Sequence, residues 1–315
     1  MIRVENLSKK FGELQAIQDV GFTVSDGEIL GFLGPNGAGK STTLRIITTF
    51  LAPTAGQVTI DDLDVTTDSA AVRKRIGYLP EQNPLYDEMT AFDQLRFAAE
   101  ARGITGHDFT VALRRVIGEC GLREVIHRPI GELSKGYRQR VGLAQAIIHD
   151  PDILILDEPT SGLDPNQIAE IRVLIKELGR EKTVIISTHI LQEVQAVANR
   201  MIILNKGRVV ADGTTAELMA GFEGKAQLIL EVKGATKKSI TGLTGRFPEI
   251  KIQDQTTRGG VSRVSLEYPT GQDLREQIFN YAVEESWVLL EMSRKQAQLE
   301  DLFRSLTVEE GGAHA

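Results

Sequence analysis

The sequence predicts an α/β protein with a parallel sheet at its centre, followed by a smaller α+β domain. Three observations lead there: a glycine-rich loop set between an apolar strand and a helix, two further apolar runs that end abruptly in polar residues, and a change of texture after about residue 220. At 315 residues the chain exceeds the roughly 100 to 200 usual for one domain, so two domains are expected. Hydrophobic residues at 41% and charged residues at 25% suit a folded chain with a substantial core.

The first element is "EILGFLGPNGAGKSTTLRII". An apolar strand (29–33) runs into Gly34, Pro35, Asn36, Gly37, Ala38, Gly39, Lys40, Ser41 and Thr42, then into an apolar-periodic helix. That strand, loop and helix context is what a phosphate loop needs. The glycines let successive amides point inward and the helix N-terminus adds its positive end, while Lys40 reaches terminal phosphates and Ser41 can ligate Mg²⁺. These residues are the candidate cofactor-binding set.

Between Gln82 and Ser134 the texture is helical, as in "TAFDQLRFAAEARG" and "DFTVALRRVIGECGL". At its end, "ELSKGYRQRVGLAQAI" begins a basic helix with Ser134 and Gly136, a start suited to receiving an anion, although nothing local says which. The next element, "DPDILILDEPTSGLD", carries a strand that does not alternate with polar residues, so burial on both faces is expected. It ends in Asp157 and Glu158. Ligands of open α/β sheets collect beyond the carboxyl ends of strands, where a cation near Asp157 would offset the cost of two adjacent carboxylates and Glu158 could polarise a water. A third strand, "TVIISTH", ends in His189, which is structural or catalytic depending on its company.

Beyond 220, "QLILEV" and "RVSLEY" read as strands, followed by a helix from about Asp273, a strand "SWVLLEM" and a helix with Leu299, Leu302, Phe303 and Leu306 on one face. The expected division is therefore 1–220, an accessory α+β domain over 221–308, and a tail over 309–315.

The net charge of −7 argues against nucleic acid as a partner, and Arg73, Lys74, Arg75, Arg114 and Arg115 read as solvated faces. One cysteine, Cys120, can form neither an intrachain disulfide nor a zinc cluster and reads as a small buried residue in a reducing cytoplasm. No run approaches the roughly 18 apolar residues of a membrane span.

Five motifs in order, "GPNGAGKS", the glutamine of "LPEQNPLY", "LSKGYRQR", "ILILDEPTSGLD" and "STH", resemble the nucleotide-binding subunit of an ATP-binding cassette (ABC) transporter over residues 2 to about 218. The resemblance implies a P-loop NTPase core with a helical subdomain at about 84–150, an ATPase activity using ATP and Mg²⁺, and a homodimer in which Ser134 and Gly136 of one subunit cap the ATP held by the other. It makes Phe11 the ring on adenine, though a core role is open. It makes Gln82 a sensor of Mg²⁺ or the lytic water, though a plain polar loop residue is open. His189 becomes a ligand of the γ-phosphate, and Asp164 lies on the loop facing the opposite subunit. Ser41, Gln82 and Asp157 form the implied Mg²⁺ set.

The commoner signature, Leu-Ser-Gly-Gly-Gln, is altered here by Lys135 and Tyr137, and Lys135 adds a cation beside the phosphate site. The variant looks like single-cassette ATPases of drug, antibiotic and gliding-motility export, which implies a transmembrane permease partner met through "EQNPLYDEMT" and a place on the cytoplasmic face of the membrane. The C-terminal "QAQLEDLFRSLT" resembles that branch more weakly. The alternative, a soluble ABC ATPase of DNA repair or translation, ordinarily brings long coiled-coil insertions, zinc-binding cysteines or tandem cassettes.

Overall fold

A computed structural model describes residues 1–220, 225–269, 272–295 and 298–307. The expected tail at 309–315 lies outside the described residues. The chain divides into two units, Met1–Thr215 and Ala216–Ala315.

The first unit opens with a hairpin, β1 (Ile2–Phe11) and β2 (Leu14–Val24), then the buried strand β3 (Ile29–Leu33), the glycine-rich loop and α1 (Lys40–Ile47). Strands β4 (Ala55–Ile60) and β5 (Leu63–Asp64) join the hairpin in an antiparallel sheet of order β2-β1-β4-β5. Helix α2 (Ser69–Arg75) leads to β6 (Ile76–Leu79), and three helices follow: α3 (Ala91–Glu100), α4 (Gly106–Cys120) and α5 (Lys135–Ile147). The chain then alternates through β7 (Ile153–Asp157), α6 (Pro165–Leu178), β8 (Thr183–Thr188) and α7 (Leu191–Val197), and ends in a hairpin, β9 (Arg200–Asn205) and β10 (Arg208–Gly213), with α8 (Thr215–Ala220) after it.

The central sheet has the order β10-β9-β3-β8-β7-β6, parallel except for β10. Strands β3, β7 and β8 bury both faces, which explains their apolar runs. On β7, Ile153 and Ile155 pack with the N-terminal sheet and α1, whereas Leu154 and Leu156 pack with the helical segment. Because the side-chain period of a strand is two, one run of isoleucine and leucine serves two cores. Strand β3 lies between β8 and β9, neighbours more than 150 residues away in sequence.

Cys120 is fully buried in the helical core, and burial pushes its thiol up to about 12. Arg115 departs from a solvated role: its guanidinium donates to the carbonyls of Ile147 (2.7 Å) and Ile148 (3.3 Å) and pairs with Glu119 at 3.1 Å. It caps the C-terminus of α5, where the last carbonyls of a helix lack partners. That placement is invisible in a local charge count.

The second unit contains β11 (Lys225–Lys233), α9 (Lys237–Arg246), β12 (Lys251–Arg258), β13 (Val261–Pro269), α10 (Arg275–Glu284), β14 (Val288–Lys295) and α11 (Leu299–Thr307). Its antiparallel sheet has the order β12-β13-β11-β14, the split βαβ topology. Ala226, Leu228, Leu230 and Val232 of β11 form one buried face with Ile240 and Leu243 of α9 and Ile278 and Ala282 of α10.

Candidate active site

The site is built where β3, β7 and β8 end. Strand β3 stops at Leu33, and the loop that follows brings Gly39 to the start of α1 with φ +103, and the helix has no side-chain cap. A Cβ on Gly39 would stand 2.5 Å from Ile17 Cγ2 and 2.9 Å from the Ala16 carbonyl. Only glycine fits, and the first amides of α1 are free of side-chain acceptors and so open to an anion.

Lys40 is buried; its Nζ donates to the carbonyls of Gly34 (2.8 Å) and Pro35 (3.3 Å) and lies 3.5 Å from Glu158 Oε1. Ser41 Oγ donates to Asp157 Oδ1 at 3.2 Å, and Ser187 Oγ donates to the same oxygen at 2.5 Å. Ser187 also accepts from the Glu158 amide, through Oγ and through its carbonyl, both at 3.1 Å. Two adjacent carboxylates, 1% and 7% exposed, are thereby held by hydroxyls and a lysine. Glu158 carries φ +49, and its Oε2 lies 3.0 Å from His189 Nδ1.

A cleft of about 590 Å³ opens over these groups. It is lined by Phe11, Asn36, Gly37, Ala38, Gly39, Lys40, Ser41, Thr42, Glu158 and His189, all candidates from the sequence, and also by Leu14, Gln15, Ala16, Glu81 and Ser161, which sequence reasoning passed over. Phe11 is 46% exposed with Lys9 Nζ 5.3 Å over its ring, so it is a surface ring and not a core one. Gln82 sits exposed on the loop after β6 and does not line the cleft; its neighbour Glu81 does.

Ser134, Lys135, Gly136 and Asp164 form a second group outside the cleft. Ser134 caps α5, accepting from the Tyr137 amide at 3.4 Å, and a Cβ on Gly136 would stand 2.8 Å from the Gln167 side chain. Lys135 Nζ lies over Gly162 of the same chain, 2.0 Å from where a Cβ there would be. Asp164 caps α6, accepting from the Asn166 amide at 3.0 Å and the Gln167 amide at 2.9 Å.

Residues 17–161 match the ABC transporter family. Over 224 residues the chain is 39% identical to the ABC transporter ATP-binding protein NatA of Bacillus subtilis (strain 168), covering 69% of this chain and 91% of that protein. The chain is an ABC transporter ATP-binding protein. It is 28% identical over 308 residues, 98% of both chains, to the linearmycin resistance ATP-binding protein LnrL of the same organism. Among solved structures it resembles the dimeric post-hydrolysis state of the ATP-binding cassette MJ0796 bound to ADP and Pi, with TM-score 0.61, 29% identity, and 68% of this chain covering 98% of that one. This ABC ATPase binds and hydrolyses ATP. Among the described residues, no helix is long and apolar enough to cross a membrane.

Proposed function

We propose that two copies of this ABC ATPase close on two ATP molecules and drive a separate transmembrane permease, in the export direction, from the cytoplasmic face of the membrane. The observation that carries this reading is that one chain holds two helix starts suited to phosphate, at α1 and α5, and only the first opens into the cleft. A head-to-tail pair gives the second one a ligand: ATP on one phosphate loop is capped by Ser134, Lys135 and Gly136 of the other protomer, with Asp164 facing the junction. The dimeric MJ0796 cassette supports the pairing, and the resistance named for LnrL supports export.

Within each half-site, Phe11 stacks on adenine, the loop amides and Lys40 bind the phosphates, and His189 contacts the γ-phosphate. Glu158 takes the proton of the attacking water as the oxygen bonds to the γ-phosphorus and ADP departs with the bridging oxygen. Ser41 Oγ and Asp157 Oδ1, 3.2 Å apart, are hard oxygen donors of the kind Mg²⁺ takes alongside phosphates, with Gln82 the remaining candidate. Bound there, Mg²⁺ would neutralise charge on the phosphates. All these roles fall between Phe11 and His189, so the chemistry is assigned to the first unit.

For the permease we assign the groove of about 620 Å³ that Pro84 and Tyr86 share with Phe50 and Phe97. These three rings are 52%, 72% and 50% exposed, a patch of the kind that marks an interaction surface.

The test is Glu158→Gln. General-base removal costs ~10²- to 10⁴-fold in hydrolysis, while ATP binding persists and an ATP-dependent dimer accumulates on gel filtration. A variant that hydrolyses at the wild-type rate, or forms no more dimer than wild type, refutes the assignment.

A further inference from the structure

Glu193, on the first turn of α7, has no part in the chemistry described above, yet its residue is 1% exposed. A carboxylate buried this far is costly unless well hydrogen-bonded, and an apolar side chain would fill the place more cheaply. Its partners are two hydroxyls that meet on one oxygen: Thr160 Oγ1 donates to Glu193 Oε2 at 2.5 Å and Thr188 Oγ1 donates to it at 2.8 Å. The Ile190 amide in turn donates to Thr188 Oγ1 at 3.1 Å, turning the chain from β8 into α7.

Those hydroxyls belong to the two segments that carry the reacting side chains, one just past the end of β7 and one at the end of β8. Thr160 follows Glu158 by two residues, and Thr188 immediately precedes His189. Glu158 and His189 are 3.0 Å apart, and Glu158 sits in a left-handed backbone conformation, φ +49, that a non-glycine residue keeps only when its surroundings fix it. One buried oxygen therefore ties together, from behind, the segments whose spacing sets that contact. We propose that Glu193 is a positioning residue for ATP hydrolysis, holding Glu158 and His189 in register by anchoring Thr160 and Thr188 to a single point. The inference rests on the reading that Glu158 and His189 act at the γ-phosphate.

The experiment compares Glu193→Ala with Glu193→Gln in purified full-length protein. Glutamine keeps an oxygen that both hydroxyls can reach, so its kcat stays near wild type. Alanine releases both segments, and a displacement on the order of 1 Å at reacting groups can cost about 10²-fold, so kcat falls by about 10- to 100-fold with KM for ATP little changed. Equal kcat for the two variants and wild type overturns the proposal, as does a loss shared equally by alanine and glutamine. A lower melting temperature with unchanged kcat means a structural role alone and overturns it too. Should the alanine variant fail to fold, Thr160→Val decides the matter: reduced kcat at unchanged KM supports the anchor, and wild-type kcat refutes it. Glu158→Gln run alongside separates the two levels. If it leaves hydrolysis intact, the reading of the site has failed; if it abolishes turnover while Glu193→Ala does not slow it, only the positioning role has failed.

Discussion

Replacing Gly39 by alanine adds one methyl group at the point where the phosphate loop becomes α1. The residue has φ +103, beyond the ordinary left-handed basin, and the new Cβ would lie 2.5 Å from Ile17 Cγ2 and 2.9 Å from the Ala16 carbonyl. Neither neighbour yields easily: Ile17 is fully buried, and the carbonyl belongs to strand β2. Backbone strain of this kind costs about 1–3 kcal/mol and overpacking about 1–3 more, so about 2–6 kcal/mol must be lost from folding, ATP binding or both. At the lower end, a loss taken wholly from binding weakens ATP about 30-fold, since each 1.4 kcal/mol is tenfold. Calorimetric titration with ATP and thermal unfolding measure the two shares. Gly27→Ala is the control: φ +72, but nothing within 4 Å of the added methyl. If Gly39→Ala matches Gly27→Ala in both melting temperature and ATP affinity, the account of the loop as glycine-dependent is wrong.

Lys40→Ala deletes a charge-assisted contact worth about 1.5–3 kcal/mol, so ATP affinity by calorimetry should fall about 10- to 150-fold. Lys135→Gly should weaken ATP-driven dimerisation modestly and flatten its dependence on salt, because partly exposed charges are screened; gel filtration at two ionic strengths reads both. Burial and the nearby Arg102 lower His149 to about 4 from its ordinary 6.5, so the unfolded chain takes up that proton first. Stability should rise with pH between those values, and His149→Gln, which can still donate to the Ile76 carbonyl, should flatten that segment in denaturant titrations at pH 5 and pH 7.

The parts of the site that were legible in the sequence are those carried by short contiguous stretches. The phosphate loop, Asp157 with Glu158, and the start of α5 each sit on one run of residues whose local conformation brings the chemistry together. What escaped notice comes from elsewhere in the chain. Leu14, Gln15 and Ala16 line the cleft because β2 passes behind Gly39, and no pattern within the hairpin announces that. Ser187 stood in "STH" beside His189, but its work, bonding Asp157 and the Glu158 amide, depends on β7 pairing with β8. In the second unit, α9 reads "KKSITGLTGR", poor in strong helix formers, and depends on its Thr236–Ser239 capping box and on burial of Ile240 and Leu243. Strand β12, "KIQDQTTR", is mostly exposed and has no apolar alternation to betray it.

The phosphate loop is also propped by residues made long after it. The Gly207 amide donates to the Ala38 carbonyl at 3.0 Å, the Gln18 amide donates to the Gly207 carbonyl at 2.8 Å, and β3 is flanked by strands beginning at Thr183 and Arg200. On a ribosome adding about 5–20 residues per second, the gap from Ser41 to Gly207 is a delay on the order of ten to thirty seconds. For most of that time the nascent "ILGFL" strand has neither neighbour in the sheet, and for all of it the loop lacks the Gly207 brace. The loop's brace is therefore complete only once the β9–β10 hairpin has been synthesised. A chain stalled before residue 183 would present an apolar strand with both edges open, the kind of segment that chaperones shield.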